Sequence, residues 1–113
     1  MTAAEFREIA LSQPDAVESA HMNHPDFRID GKIFATLGYP DHDHAVVVLS
    51  PDQQEGFIVE MPRAFSAVKG AWGKRGSTQI HLPSVEAEAV AEAIRLAWKR
   101  GRPSGRRKPS KRQ

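Results

Sequence analysis

Residues 68–82 read V-K-G-A-W-G-K-R-G-S-T-Q-I-H-L, and the rest of the chain is read outward from them. Gly70, Gly73 and Gly76 recur every third residue around Trp72 and the pair Lys74-Arg75. Glycine at such spacing serves backbone at positive φ, or backbone in close approach to another segment. Trp72 is a large apolar body fixed in a tight loop, expected to pack down as a lid on the core. A short alternating strand follows, with Thr78, Ile80 and Leu82 on one face and Gln79 and His81 on the other.

The chain before this stretch offers partners for that strand. Ala45-Val46-Val47-Val48-Leu49 is continuously apolar and β-branched, which suits a central strand. Phe27-Arg28-Ile29 and Lys32 to Leu37 flank Asp30-Gly31, a preferred dipeptide for a two-residue type I′ hairpin turn. Ser19 to Met22 is a further short strand, ahead of His24-Pro25. Arg63 to Ala67 reads as a connection with one helical turn, and Gly38 to His44 as a polar turn.

Three helices complete the order. Thr2 and Glu5 form a capping box before a stripe of Phe6, Ile9, Ala10 and Gln13, which Pro14 stops. Ser50-Pro51-Asp52-Gln53 opens the second helix, with Gln54, Phe57, Ile58 and Met61 on one face and Pro62 at its end. The third follows Pro83-Ser84 and aligns Ala87, Val90, Ala91, Ile94, Ala97 and Trp98. The expected fold is α+β in two layers: an antiparallel sheet of about five strands, helices on one face, order α-β-β-β-α-β-β-α.

Charge divides the chain in two. Residues 1–98 carry eight basic and fourteen acidic side chains, a net of −6, while residues 99–113 carry eight basic and no acidic ones. Residues 1–98 are therefore taken as one α+β domain and 99–113 as a disordered basic tail rich in Pro, Ser and Gly. An acidic body joined to a basic tail points to a nucleic-acid or anionic-surface arm. With no cysteine there is no disulfide framework and no thiolate nucleophile. No apolar run is long enough to span a bilayer and no leader pattern opens the chain, so a cytoplasmic protein without membrane contact is expected.

His24 to Leu37, H-P-D-F-R-I-D-G-K-I-F-A-T-L, together with Lys69 to Leu82, resembles the MmcQ/YjbR family over about the first hundred residues. By that resemblance the family elements H-P-x-F, G-K-x-F and G-x-W-G-x-x-G fall on His24, Pro25, Phe27, Gly31, Lys32, Phe34, Gly70, Trp72, Gly73 and Gly76. The resemblance implies a bacterial α+β domain of the secretion-chaperone-like kind with a double-wing arrangement, and a DNA-binding role without agreed catalytic residues. Ser77 departs from the pattern, standing where relatives often carry Trp. The basic tail is not a family feature.

Arg100-Gly101-Arg102-Pro103 resembles the core of an AT-hook, with Arg106, Arg107 and Lys108 following. A narrow A·T minor groove presents acceptors and a strongly negative potential, into which arginines around a glycine can lie. The alternative is a non-specific polyanion-binding tail, and composition leaves the two level. Arg28, Lys32, Lys74 and Arg75 are candidate secondary contacts to the DNA backbone. His21, His24 and Asp41-His42-Asp43-His44 carry metal-ligand chemistry, but extended segments and turns are poor at converging on one ion. No metal site or other cofactor is expected. Lacking a nucleophile elbow and any cysteine, the chain is read as a non-enzymatic DNA-binding protein with no catalytic residues. The alternative is a protein-interaction or chaperone-like module with a polypeptide partner.

Overall fold

Both polar capping boxes form as the sequence prescribes, and they set the starts of two helices. The structure is a computed structural model and describes residues 1–102. Helix α1 (Ala3–Leu11) opens with Thr2 Oγ1 accepting from the Glu5 amide, and Glu5 Oε1 accepting from the Thr2 amide. Helix α2 (Pro51–Glu60) repeats the arrangement with Ser50 and Gln53. Phe6 and Ala10 of α1 are fully buried, as its stripe requires.

The strands are β1 (Val17–His21), β2 (His24–Ile29), β3 (Lys32–Leu37), β4 (His44–Val48), β5 (Phe65–Ala67) and β6 (Ser77–His81). They form one six-stranded sheet in the order β1-β2-β3-β4-β6-β5, antiparallel throughout. Asp30 and Gly31 turn the β2–β3 hairpin at φ 52° and 82°, the left-handed pair that a type I′ turn demands. Met22 and Asn23 make a second such turn at φ 49° and 68°, so β1 is hairpinned onto β2 and His24-Pro25 already lies in a strand.

The architecture is the expected α+β one, but the order differs from expectation: four strands rather than three precede α2, and two follow it. There are also two local additions. Arg63 to Ala67 does not end in a helical turn: residues 65–67 pair with β6 as an edge strand, which raises the count to six. The glycine loop contains a short helix, α3 (Ala71–Lys74). Both were missed because three or four residues cannot display a period. β4 sits between β3 and β6, the central place its apolar run suits.

Helix α4 (Ala87–Gly101) lies across the sheet with Val90, Ala93, Ile94 and Ala97 buried. Its apolar stripe is rotated from the expected one, since Ala87 and Ala91 are exposed and Ala93 takes the inner place. One core joins the helices to a single sheet face through Phe27, Phe34, Val47, Phe65, Ile80 and Leu49. A bulge lets both Phe34 and Ala35 enter that core: Phe27 pairs with Ala35 and Arg28 with Ile33, leaving Phe34 as the extra residue.

Candidate nucleic-acid interface

The antiparallel register divides the domain into two chemically different ends. At one end lie the Asp30-Gly31 turn, the finish of β4, the loop from Val68 to Gly76 and the start of β6, where Val48 pairs with Ser77. The C-terminus of α4 reaches the same end. A Cβ built on Gly101 would stand 2.9 Å from Ile29 Cγ2 and 3.9 Å from Phe34 Cβ. Trp98 Nε1 donates to the Pro14 carbonyl at 2.9 Å, tying the helix to the segment that leads into β1.

Lys32, Lys74, Arg75, Arg100 and Arg102 are therefore brought to one end of the domain, all exposed, together with Lys69 and Lys99. Among the described residues, none of these seven lies within ion-pair distance of a carboxylate. Asp15, Asp30 and Asp52 share this end and dilute the positive field. Arg106, Arg107 and Lys108 lie outside the described residues.

Residues 100–102 of the hook-like motif do not form an extended arm. Helix α4 runs through Gly101, so Arg100 is helical, and Arg102 caps the helix with its guanidinium 4.8 Å from the centre of the Trp98 ring. The good helix formers Leu96 to Arg100 carry the helix on, and Gly101 fits because a side chain there would meet Ile29.

Arg28 is engaged elsewhere. Its Nε and Nη2 donate to Oδ1 and Oδ2 of Asp26 at 2.8 and 3.1 Å, and His21 Nδ1 stands 2.7 Å from Oδ2. Asp26 is fully buried and lies on the sheet face away from the helices, paired with Thr36 across β3. The hydrogen bonds from Arg28 hold the Asp26 carboxyl below its ordinary range, with His21 reinforcing this against the opposing effect of burial. Arg28 is thus half of a neutralised pair, unlike the seven cations above. The i, i+2 spacing of Asp26 and Arg28 on one strand face was the signal in the sequence for the pair.

Trp72 is not a lid on the core. It is 66% exposed and stands out from α3, with the Arg75 guanidinium carbon 5.7 Å from its ring centre. The glycines explain why. Gly70 begins the turn at φ 82°, and a Cβ on Gly73 would come within 1.6 Å of the Val68 carbonyl oxygen. A Cβ on Gly76, at φ 115°, would come within 1.8 Å of the Leu49 carbonyl oxygen. Gln54, expected on the apolar face of α2, is buried and donates through Nε2 to the carbonyls of Gly73 and Ser77, both at 3.0 Å. The loop is therefore clamped by backbone contacts, and its tryptophan is left on the outside.

The opposite end carries the histidines. His21 pairs with His24 and His44 with His81 across the strands, on the face away from the helices. The rings of His44 and His81 are 5.1 Å apart, with their Nδ1 atoms 2.7 Å from Asp41 Oδ1 and 2.6 Å from Ser84 Oγ. Among the described residues no group of three or more His, Asp or Glu side chains is placed to share a metal ion. No helix among them is long and apolar enough to cross a membrane.

The sequence pattern of the YjbR family matches residues 11–100. The chain belongs to the YjbR family. Its fold is similar to the crystal structure of Deinococcus radiodurans protein DR2400, described as a DUF419 domain, with a TM-score of 0.69 over 86% of this chain and 75% of that one. Identity is 16%, so this likeness speaks for the fold alone. No curated protein matches the chain.

Proposed function

We propose that this YjbR protein is a cytoplasmic DNA-binding protein that performs no chemistry on its target. DNA lies against the basic end of the domain and along the chain that continues from Arg102. The observation that carries this reading is the convergence of Lys32, Lys74, Arg75, Arg100 and Arg102 on one end, although they come from a hairpin turn, the α3 turn and the end of α4. A body with a net charge of −6 repels a polyanion unless its cations cluster, and here they do. Cations at the C-terminus of α4 also complement the helix dipole, so their position stabilises the fold whether or not DNA is bound.

Minor-groove insertion by Arg100 and Arg102 would require the last turn of α4 to unwind and Gly101 to leave Ile29 and Phe34. Phosphate contact needs neither, and it is the mode this geometry favours. The test is a fluorescence-anisotropy titration of A·T-rich and G·C-rich duplexes with the full chain, a 1–102 truncation and a Lys74→Glu/Arg75→Glu variant. Weaker, still sequence-blind binding by both variants supports the reading. Unchanged affinity in both would overturn it.

A second reading is supported by a separate feature. Between α2 and α4 lies an open groove of about 720 Å³, lined by Phe57, Val59 and Leu96 and rimmed by Asp52, Glu55, Glu60 and Glu92. Apolar walls with an acidic rim suit a basic amphipathic polypeptide. Glu55→Lys/Glu60→Lys would abolish capture of such a peptide and leave DNA titrations intact, and capture that survives the change would dismiss this reading.

A further inference from the structure

Tryptophan is highly buried on average, so a rigidly held Trp at 66% exposure calls for an explanation from its surroundings. The turn that carries Trp72 leaves little freedom. Gly73 and Gly76 admit no side chain because the carbonyls of Val68 and Leu49 occupy that space, and the buried Gln54 amide holds the carbonyl of Gly73 and that of Ser77, where β6 begins. Such backbone precision is not needed for an ordinary solvated loop. It fixes the Cα of Trp72, and a Trp side chain then has only two torsions to lose on binding.

The company of the ring selects its ligand. Arg75 lies over Trp72, Lys74 is exposed beside it, and Lys69 leads into the turn. An aromatic face among cations matches a nucleotide, whose base stacks while its phosphate is neutralised. In a duplex the base faces are already stacked on their neighbours, so a side chain on a tight surface turn cannot reach them. In a single strand they are open.

We propose that Trp72 is a stacking platform for an unpaired nucleobase, so that this end of the domain takes single-stranded DNA in addition to duplex phosphates. The inference rests on the DNA-binding reading and deepens it. Arg75 and Lys74 hold the flanking phosphates, and the base lies on the indole. Stacking of this kind is tolerant of base identity, since every base has a π-face.

The test compares the full chain with Trp72→Ala and Trp72→Phe on a short oligo(dT), on a strand of equal length with abasic sites, and on a duplex. Trp72→Ala should weaken oligo(dT) binding about 5- to 140-fold, the roughly 1–3 kcal/mol of one base stack. Trp72→Phe should recover part of that loss, and duplex binding should change by less than about twofold, since none of the stack is made there. The abasic strand should reproduce the loss with the unaltered protein, which removes any question of whether the variant folds. In a Trp98→Phe background, oligo(dT) should quench the Trp72 emission. Binding of oligo(dT) that neither Trp72→Ala nor base removal weakens would remove the platform and leave the DNA reading standing. Equal losses on single strand and duplex would also remove it. If the unaltered protein binds neither form of DNA, both readings fall together.

Discussion

Alanine placed at Gly56, Gly70 and Gly73 should have three different effects on stability, and the structure orders them. At Gly56, inside α2, an added Cβ meets nothing within 4 Å and φ is ordinary. Alanine there should stabilise the domain by ~1 kcal/mol through helix propensity. At Gly70 space is also open, but φ is 82°. With ψ at −156° this is a region kept essentially for glycine, and an alanine there should cost roughly 1–3 kcal/mol. At Gly73 the added Cβ would fall 1.6 Å from the Val68 carbonyl oxygen and 2.7 Å from its carbon, so backbone rather than a flexible side chain must move. Overpacking alone costs about 1–3 kcal/mol or more. The shift also breaks the Gln54 bond to the Gly73 carbonyl, adding roughly 0.5–1.5 kcal/mol for one hydrogen bond, since that carbonyl keeps the Gly76 amide and Gln54 keeps Ser77. Urea unfolding followed by far-ultraviolet circular dichroism should give midpoints in the order Gly56→Ala, unaltered, Gly70→Ala, Gly73→Ala, at constant m-value. A Gly73→Ala midpoint equal to that of the unaltered protein would refute the claim that this loop is clamped backbone to backbone.

Three further outcomes follow from buried polar groups and the tail. Gln54→Leu should destabilise the domain by about 0.5–1.5 kcal/mol for each of the two hydrogen bonds it removes, the Gly73 and Ser77 carbonyls keeping the Gly76 and Val68 amides, and should shift Trp72 emission, because the clamp under the α3 turn is gone. Asp26 has its carboxyl held below the ordinary range by Arg28, so its contribution is present above the unfolded value of about 3.9 and is lost as pH falls through the lower folded value. Asp26→Asn should therefore lower the neutral-pH stability by about 1–3 kcal/mol and flatten the difference between pH 5 and the acid limb. Glu5, Asp41 and Glu92 are lowered in the same way by Thr2, His44 and Arg95, so the difference between variant and unaltered protein is the quantity to read. Gly101→Ala should loosen the last turn of α4, since its Cβ would press on Ile29; hydrogen exchange of the Lys99 to Arg102 amides should quicken relative to mid-helix positions.

What the sequence made legible was local and periodic. Thr2-Glu5 and Ser50-Gln53 marked helix starts, Asp30-Gly31 marked a hairpin, and the Val46 to Val48 run marked the middle of the sheet. The edge strand Phe65–Ala67 escaped notice because three residues owe their conformation to β6 alone. The Met22-Asn23 turn was hidden because neither residue is glycine, although both take positive φ. For the candidate interface, residue types were visible while their destinations were not. The glycines of the Val68 to Gly76 loop suggested close approach, yet only the position of Val68 and Leu49 shows that the space is taken from inside, turning Trp72 outward. Arg28 looked as available as Lys32, and the buried Asp26 beside it in the fold is what separates them.

The central claim is that DNA is held by its phosphates at the basic end and along the chain beyond Arg102. The salt dependence of duplex affinity for the full chain and for residues 1–102 tests it most directly. Residues 103–113 contain five basic side chains, Arg106, Arg107, Lys108, Lys111 and Arg112. At ~0.9 of a log–log slope unit per phosphate neutralised, removing them should reduce the slope by up to about 4.5 while leaving a residual slope from the domain. Identical slopes for the two proteins, or affinity indifferent to salt, would contradict the account.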